Sequence, residues 1–174
     1  MKRYVAFLRG INVSGKNIIK MDVLKSIFVG AGFKNVVTYI QSGNVVFTAE
    51  VLKSDELRII VEQMLEQALG YRVVTIVRSL EEIKRTVAQN PFKEIGGDQK
   101  LYITYLSGNP AKGNIPLLEQ VLAFGEEIHV QGKEVYLVTL AYGNTKCSNV
   151  FIEKQLQLDG TTRNMATTKK VITL

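Results

Sequence analysis

Val36-Val37-Thr38-Tyr39-Ile40-Gln41-Ser42-Gly43-Asn44-Val45-Val46-Phe47-Thr48 is the stretch on which the fold turns. Two β-branched runs, 36–40 and 45–48, flank Gln41-Ser42-Gly43-Asn44. Glycine and asparagine tolerate the positive φ of a tight connection, so the stretch predicts a β-hairpin.

The neighbouring segments extend the pattern in both directions. Upstream, Met21 to Ala31 predicts a helix with Leu24, Ile27, Phe28 and Ala31 on one face and Gly32 as its stop. Before it, Arg3 to Leu8 predicts a strand ended by Gly10. Downstream, Ser54 is expected to cap a helix with Asp55 and Glu56 in its first turn and Leu57, Val61, Met64 and Ala68 as its buried stripe, ended by Gly70. A strand follows over Arg72 to Val77, and Ser79-Leu80-Glu81-Glu82 is a capping box opening a helix that stops before Pro91. The order β-α-β-β-α-β is the split βαβ, ferredoxin-like (α/β plait) pattern. It predicts an α+β fold with helices on one face of an antiparallel sheet.

A second unit is expected after Gly96-Gly97-Asp98, giving subdomains over residues 1–97 and 98–174. Leu101 to Leu106 predicts a strand, Ile115 to Leu122 a helix, and 127–131 with 134–140 a hairpin turning at Gly132-Lys133. Tyr4 to Gly10 matches Tyr102 to Gly108 in residue class, which suggests an internal duplication. Asn149 to Leu156 predicts a helix, after which Gly160-Thr161-Thr162-Arg163-Asn164 leads into a short terminal helix.

Composition narrows the function classes. With 174 residues, 46% of them hydrophobic and 22% charged, the chain can bury a core. No apolar run approaches the ~20 residues of a membrane span. Lys2 and Arg3 precede only five apolar residues, Tyr4 to Leu8, too few for a signal-peptide core, so no membrane partner is expected. One cysteine, Cys147, permits no internal disulfide and fits a reducing cytoplasm. With His129 as the one histidine, no zinc site of the usual ligands can form; no metal and no cofactor are expected.

The net charge of +6 is unevenly placed. Residues 1–34 hold seven basic side chains and one acid, Asp22, whereas the remainder holds fifteen of each sign. That asymmetry points to an anionic partner, nucleic acid or a phosphorylated small molecule, or else to a solvated face that keeps the protein in solution. The sequence does not define an oligomeric state.

Within the basic segment, Leu8-Arg9-Gly10-Ile11-Asn12-Val13-Ser14-Gly15-Lys16-Asn17 contains G-x-x-x-x-G-K. It mimics a nucleotide-binding P-loop without being one. Asn17 stands where a Ser or Thr would bind Mg²⁺, the helix begins several residues late, and no apolar strand ends in an acid. The loop remains a candidate anion site through the charges of Arg9 and Lys16 and the amides of Asn12 and Asn17. The competing reading is an ordinary connection whose asparagines satisfy its own backbone.

Together with Thr38 to Phe47, Asn90-Pro91-Phe92 and Thr161-Thr162-Arg163-Asn164, this loop resembles the bacterial family called Domain of Unknown Function 1697, over Tyr4 to about Val171. The resemblance implies two ferredoxin-like subdomains and no particular activity. The chain departs from the family pattern at Met165-Ala166-Thr167, where Trp-Asn-Thr usually follows, and at Cys147, where Leu is usual.

The motif residues with no evident packing reason are Arg9, Asn12, Lys16, Gln41, Ser42 and Asn44, with Lys146, Arg163 and Asn164 from the second half. In the ferredoxin-like order the first strand lies beside the third, so Gln41, Ser42 and Asn44 are expected near Arg9 and Asn12. Three functions compete for this cluster. The first is non-catalytic binding of a phosphate-bearing ligand or nucleic acid. The second is a small enzyme on an anionic metabolite, with Ser42 or Lys146 taking part. The third is a protein-interaction module. Cys147, activated by Lys146 and with His129 as base, is the weaker catalytic candidate. Lys133 to Leu137 lacks the aromatic pattern of an RRM, which argues against base stacking on the sheet.

Overall fold

A computed structural model of the chain describes every residue except Ser14, Lys16 and Val51. The described chain forms two compact units, Met1–Lys84 with Lys170–Leu174, and Arg85–Lys169.

The first unit runs β1 (Lys2–Leu8), α1 (Met21–Gly30), β2 (Lys34–Tyr39), β3 (Asn44–Ala49), α2 (Ser54–Leu69) and β4 (Thr75–Ser79), with α3 (Leu80–Ala88) crossing its boundary with the second. Its sheet has the order β2-β3-β1-β4 and is antiparallel throughout, with Val5 opposite Val46 and Phe7 opposite Asn44. Alternate residues of β1 and β3 (Tyr4, Ala6 and Leu8; Val45 and Phe47) face Leu24 and Phe28 of α1 and the apolar stripe of α2. Phe47 anchors this core, its ring 4.7 Å from that of Phe33 and 5.3 Å from that of Phe28. Each such fully buried side chain contributes about 1.5–3 kcal/mol relative to exposure.

Two details of α2 differ from expectation. Its fully buried stripe is Leu57, Val61 and Leu65, with Met64 partly buried against the same core as expected, while Ala68 is exposed. Ser54 is the first helical residue rather than the cap. Its hydroxyl donates to Glu82, and the Glu56 carboxylate accepts the Lys53 N–H. Gly70 ends the helix in the left-handed region, φ 78°, where only glycine is unstrained, and its N–H closes on the Glu66 carbonyl.

The second unit repeats the topology. It comprises β5 (Lys100–Leu106), α4 (Pro116–Glu119), β6 (Glu127–Gln131), β7 (Glu134–Thr139), α5 (Asn149–Leu156), β8 (Gly160–Asn164) and most of α6 (Met165–Ile172). The sheet order β6-β7-β5-β8 matches that of the first unit position for position, so the chain is α+β and built from two ferredoxin-like halves. Leu106, Val135 and Leu137 pack with Leu118 of α4 and Ile152 and Leu156 of α5.

Two elements here depart from the sequence pattern. The helix expected over 115–122 is only α4: the Leu122 N–H bonds to the Glu119 carbonyl, a three-residue step that tightens the chain instead of continuing the α-helix. Gly160 to Asn164, expected as a connection, is an edge strand paired with β5. Its cross-strand partner contacts are polar: the Thr104 and Thr162 hydroxyls hydrogen-bond at 2.7 Å. No helix among the described residues is long and apolar enough to cross a membrane.

Candidate functional site

The loop after β1 is built from left-handed residues: Gly10, Asn12, Gly15 and Asn17 have φ between 50° and 73°. Asn12 holds it together. Its Nδ2 donates to the Ile19 carbonyl at 3.0 Å and to the Gln41 carbonyl at 2.9 Å, and its Oδ1 accepts the Ile19 N–H at 2.8 Å. Asn17 Nδ2 donates to the Gly10 carbonyl at 3.2 Å, and the Leu8 N–H reaches the Gly43 carbonyl at 2.8 Å. Asn44 is fully buried and donates to the Tyr39 carbonyl and the Ser42 hydroxyl.

The expected juxtaposition of Gln41 with Asn12 is therefore present. Its chemistry is that of a scaffold: the asparagine amides satisfy backbone groups of the loop and of the β2–β3 turn. No helix begins at the loop, since α1 starts at Met21. Arg9 is half-buried beside it, and Lys16 lies outside the described residues.

Lys146, Arg163 and Asn164 belong to the second unit. Lys146 is exposed. Arg163 is buried, with Nη1 donating to the Thr161 hydroxyl and the Thr162 carbonyl, each at 2.8 Å; burial pulls its guanidinium down to about 10 despite the nearby Tyr105 and Tyr142. The surroundings of Cys147 do not favour its catalytic reading. The side chain sits in the apolar cluster with Leu106 and Ile152, and burial, helped by Glu126, pushes the thiol up to about 12.

A different site emerges in the second unit, where Asn90 and Phe92 of the Asn90-Pro91-Phe92 motif and Asn164 line an open groove of about 530 Å³. The segment between α3 and β5 contributes Asn90, Phe92, Lys93, Ile95 and Gln99; β5 contributes Lys100 and Leu101; α6 contributes Met165, Ala166 and Lys169. The wall is rigid for identifiable reasons. Asn90 Nδ2 donates to the Phe92 carbonyl and its Oδ1 accepts the Phe92 N–H, a closed local turn. Gln99 accepts the Gly96 N–H and donates to the Gly125 carbonyl at 2.6 Å. Lys93 Nζ bonds the Ala88 carbonyl at the end of α3.

The side-chain polarity left for a ligand is one-sided. The Asn90 and Gln99 amides are engaged in the wall, and no Asp or Glu lines the groove. Lys100 and Lys169 form no ion pair with any described carboxylate. Asn164 uses Oδ1 to accept the Thr167 N–H at 2.7 Å, which leaves Nδ2 as its remaining group. Lysine ammoniums and one amide N–H₂ are all donors. The start of α6 adds the positive end of its dipole. A smaller pocket of about 190 Å³ at Glu126 offers no such opening, because that carboxylate is held by the Thr139 hydroxyl and the Ala123 N–H.

Sequence reasoning placed Asn164 among the candidates and noted Asn90-Pro91-Phe92 as a motif without assigning it to a site. Lys93, Lys100 and Lys169 were missed. They are isolated lysines in unrelated segments, and no one-dimensional pattern connects them.

Two halves of α+β ferredoxin-like topology, one carrying a cationic groove, define the class. The chain belongs to the family described as Protein of unknown function (DUF1697), whose model matches residues 1–136. Its fold is similar to that of the conserved bacterial protein SP0830 from Streptococcus pneumoniae, with a TM-score of 0.75 and 20% identity over 99% of this chain and 97% of that one. No curated protein matches the chain.

Proposed function

We propose that this protein binds a small phosphate-bearing anion, without chemistry, in the groove of the second unit. The observation that carries the reading is the donor-only set of side-chain groups left for a ligand, Lys100, Lys169 and Asn164, around a cavity that no carboxylate lines. Cations gathered in a concave site with low-dielectric walls repel one another until an anion is present, and the field they focus selects one. The volume is within the ~300–1,000 Å³ range of small-ligand sites. Thermal-shift measurement with pyrophosphate, nucleotides and sugar phosphates tests it. Phosphate-bearing compounds should raise the melting temperature of the wild type and not of the K100E/K169E double variant. No shift with any of them would overturn the reading.

The charge surplus of residues 1–34 favours a second reading, nucleic-acid binding through the basic glycine-rich loop at Arg9, with exposed Lys20, Lys25 and Lys34 contributing. Because the Asn12 and Asn17 amides are engaged, contact would be to phosphates and independent of sequence. Fluorescence anisotropy with single-stranded RNA and duplex DNA separates the two. Neutralising four to six phosphates should lower affinity by roughly two to three decades between about 50 and about 200 mM salt. Flat titrations at low salt would remove this reading and leave the groove untouched.

A further inference from the structure

We infer that the anion taken by the groove carries an apolar body: it is an aryl or alkyl phosphate rather than a sugar phosphate. The inference rests on the reading that the groove binds anions and concerns what lies behind the charged end.

Away from the lysines, the groove is walled by Phe92, Ile95, Leu101 and Met165. Leu101 is buried and forms the floor, whereas Ile95 is 40% exposed, an aliphatic side chain left open to water beside a cavity. A ligand body covering Ile95 and Phe92 removes apolar surface from water on both partners. Met165 adds a polarizable thioether that suits an aromatic ring or a chain equally well.

The same wall has little side-chain capacity left to read hydroxyl groups. The side-chain amides of Asn90 and Gln99 are each bonded on both their oxygen and nitrogen to backbone groups, Asn90 to Phe92 and Gln99 to Gly96 and Gly125. Sugar hydroxyls laid against this surface would leave water with few replacement partners among these amides, and each hydrogen bond not replaced weakens binding by about tenfold. Charged end and apolar body are thus recognised by separate parts of the groove: Lys100, Lys169 and Asn164 take the phosphate, and Phe92, Ile95 and Met165 take the body.

Isothermal titration calorimetry on the full chain with inorganic phosphate, ribose 5-phosphate, phenyl phosphate and hexyl phosphate tests this. Phenyl or hexyl phosphate should bind at least about tenfold more tightly than ribose 5-phosphate, and whichever of the two leads identifies the body as aromatic or aliphatic. Ile95→Ser, at an exposed position where folding is not at stake, should shrink that advantage several-fold while leaving inorganic phosphate binding unchanged. Equal or tighter binding of ribose 5-phosphate would overturn the inference and leave anion binding standing. An advantage indifferent to Ile95→Ser would likewise overturn it, by moving the body off this wall. No binding of any phosphate would overturn both.

Discussion

Asn164 Oδ1 accepts the Thr167 N–H at 2.7 Å, so the residue that lines the groove also caps α6. The two roles fall on different atoms of one amide and can be separated. Asn164→Ala removes both and should lower stability by about 1 kcal/mol, as loss of an N-cap does. Asn164→Asp keeps the capping oxygen, replaces the free N–H₂ with negative charge, and should hold the melting temperature while weakening anion binding by about tenfold or more. Denaturation and calorimetry on the pair of variants check this. Equal anion affinity in Asn164→Asp and wild type would show that Asn164 acts only as a cap.

Asn12 has the opposite character: its side chain bonds to the backbone of Ile19 and Gln41. Asn12→Ala breaks the bonds to Ile19 and Gln41 and leaves a Cβ residue at φ 53° that no longer has asparagine's local compensation. The expected loss is about 2–3 kcal/mol, a fall of roughly 5–10 °C in melting temperature. Asn12→Gly, free to adopt the same φ, should recover part of it. Thermal denaturation followed by circular dichroism is the measurement.

Gly43 occupies the β2–β3 turn for two reasons that act together. Its φ is 79°, and a Cβ there would come within 2.6 Å of Ile11 Cδ1 and 2.9 Å of Leu8 Cβ. Both neighbours are fully buried core side chains with little room to move. Gly43→Ala should therefore destabilise by about 2–4 kcal/mol, read as a lower urea midpoint with unchanged slope.

Glu82 closes the capping box of α3. It accepts the Ser79 N–H at 2.7 Å while Ser79 Oγ accepts the Glu82 N–H at 3.2 Å. Burial would raise its pKa, but hydrogen bonds from Ser54 and Ser79 and the charge of Arg78 outweigh it and hold the carboxyl below its ordinary 4.5. A depressed carboxylate stabilises the fold above the unfolded pKa and loses that contribution as the pH falls through the folded one. Glu82→Gln should thus cost about 1–2 kcal/mol at neutral pH, with the difference from wild type shrinking below about pH 4.5. A difference constant from pH 7 to acid would contradict the assignment.

The first unit was legible because its elements obey one rule each. The β-branched runs of β2 and β3, the 3.6-residue spacing in α1, and Ser79 to Glu82 as a capping box all follow from local chemistry. β8 escaped because Gly-Thr-Thr-Arg-Asn has no apolar alternation; its pairing with β5 rests on tertiary partners such as Thr104. The loop cluster was located correctly by topology, which puts β1 beside β3, but its amides turn out to hold the loop together. The groove was invisible for the converse reason: Phe92, Lys100 and Lys169 share a wall only after β5, β8 and α6 are assembled.

The claim that the second-unit groove is the anion site is tested most directly by titrating pyrophosphate into uniformly ¹⁵N-labelled protein and following its amide resonances. Saturable shifts confined to residues 90–101 and 164–169, lost in K100E/K169E, are the predicted result. Shifts centred instead on residues 9–20 and 41–44, or none that saturate, would contradict it.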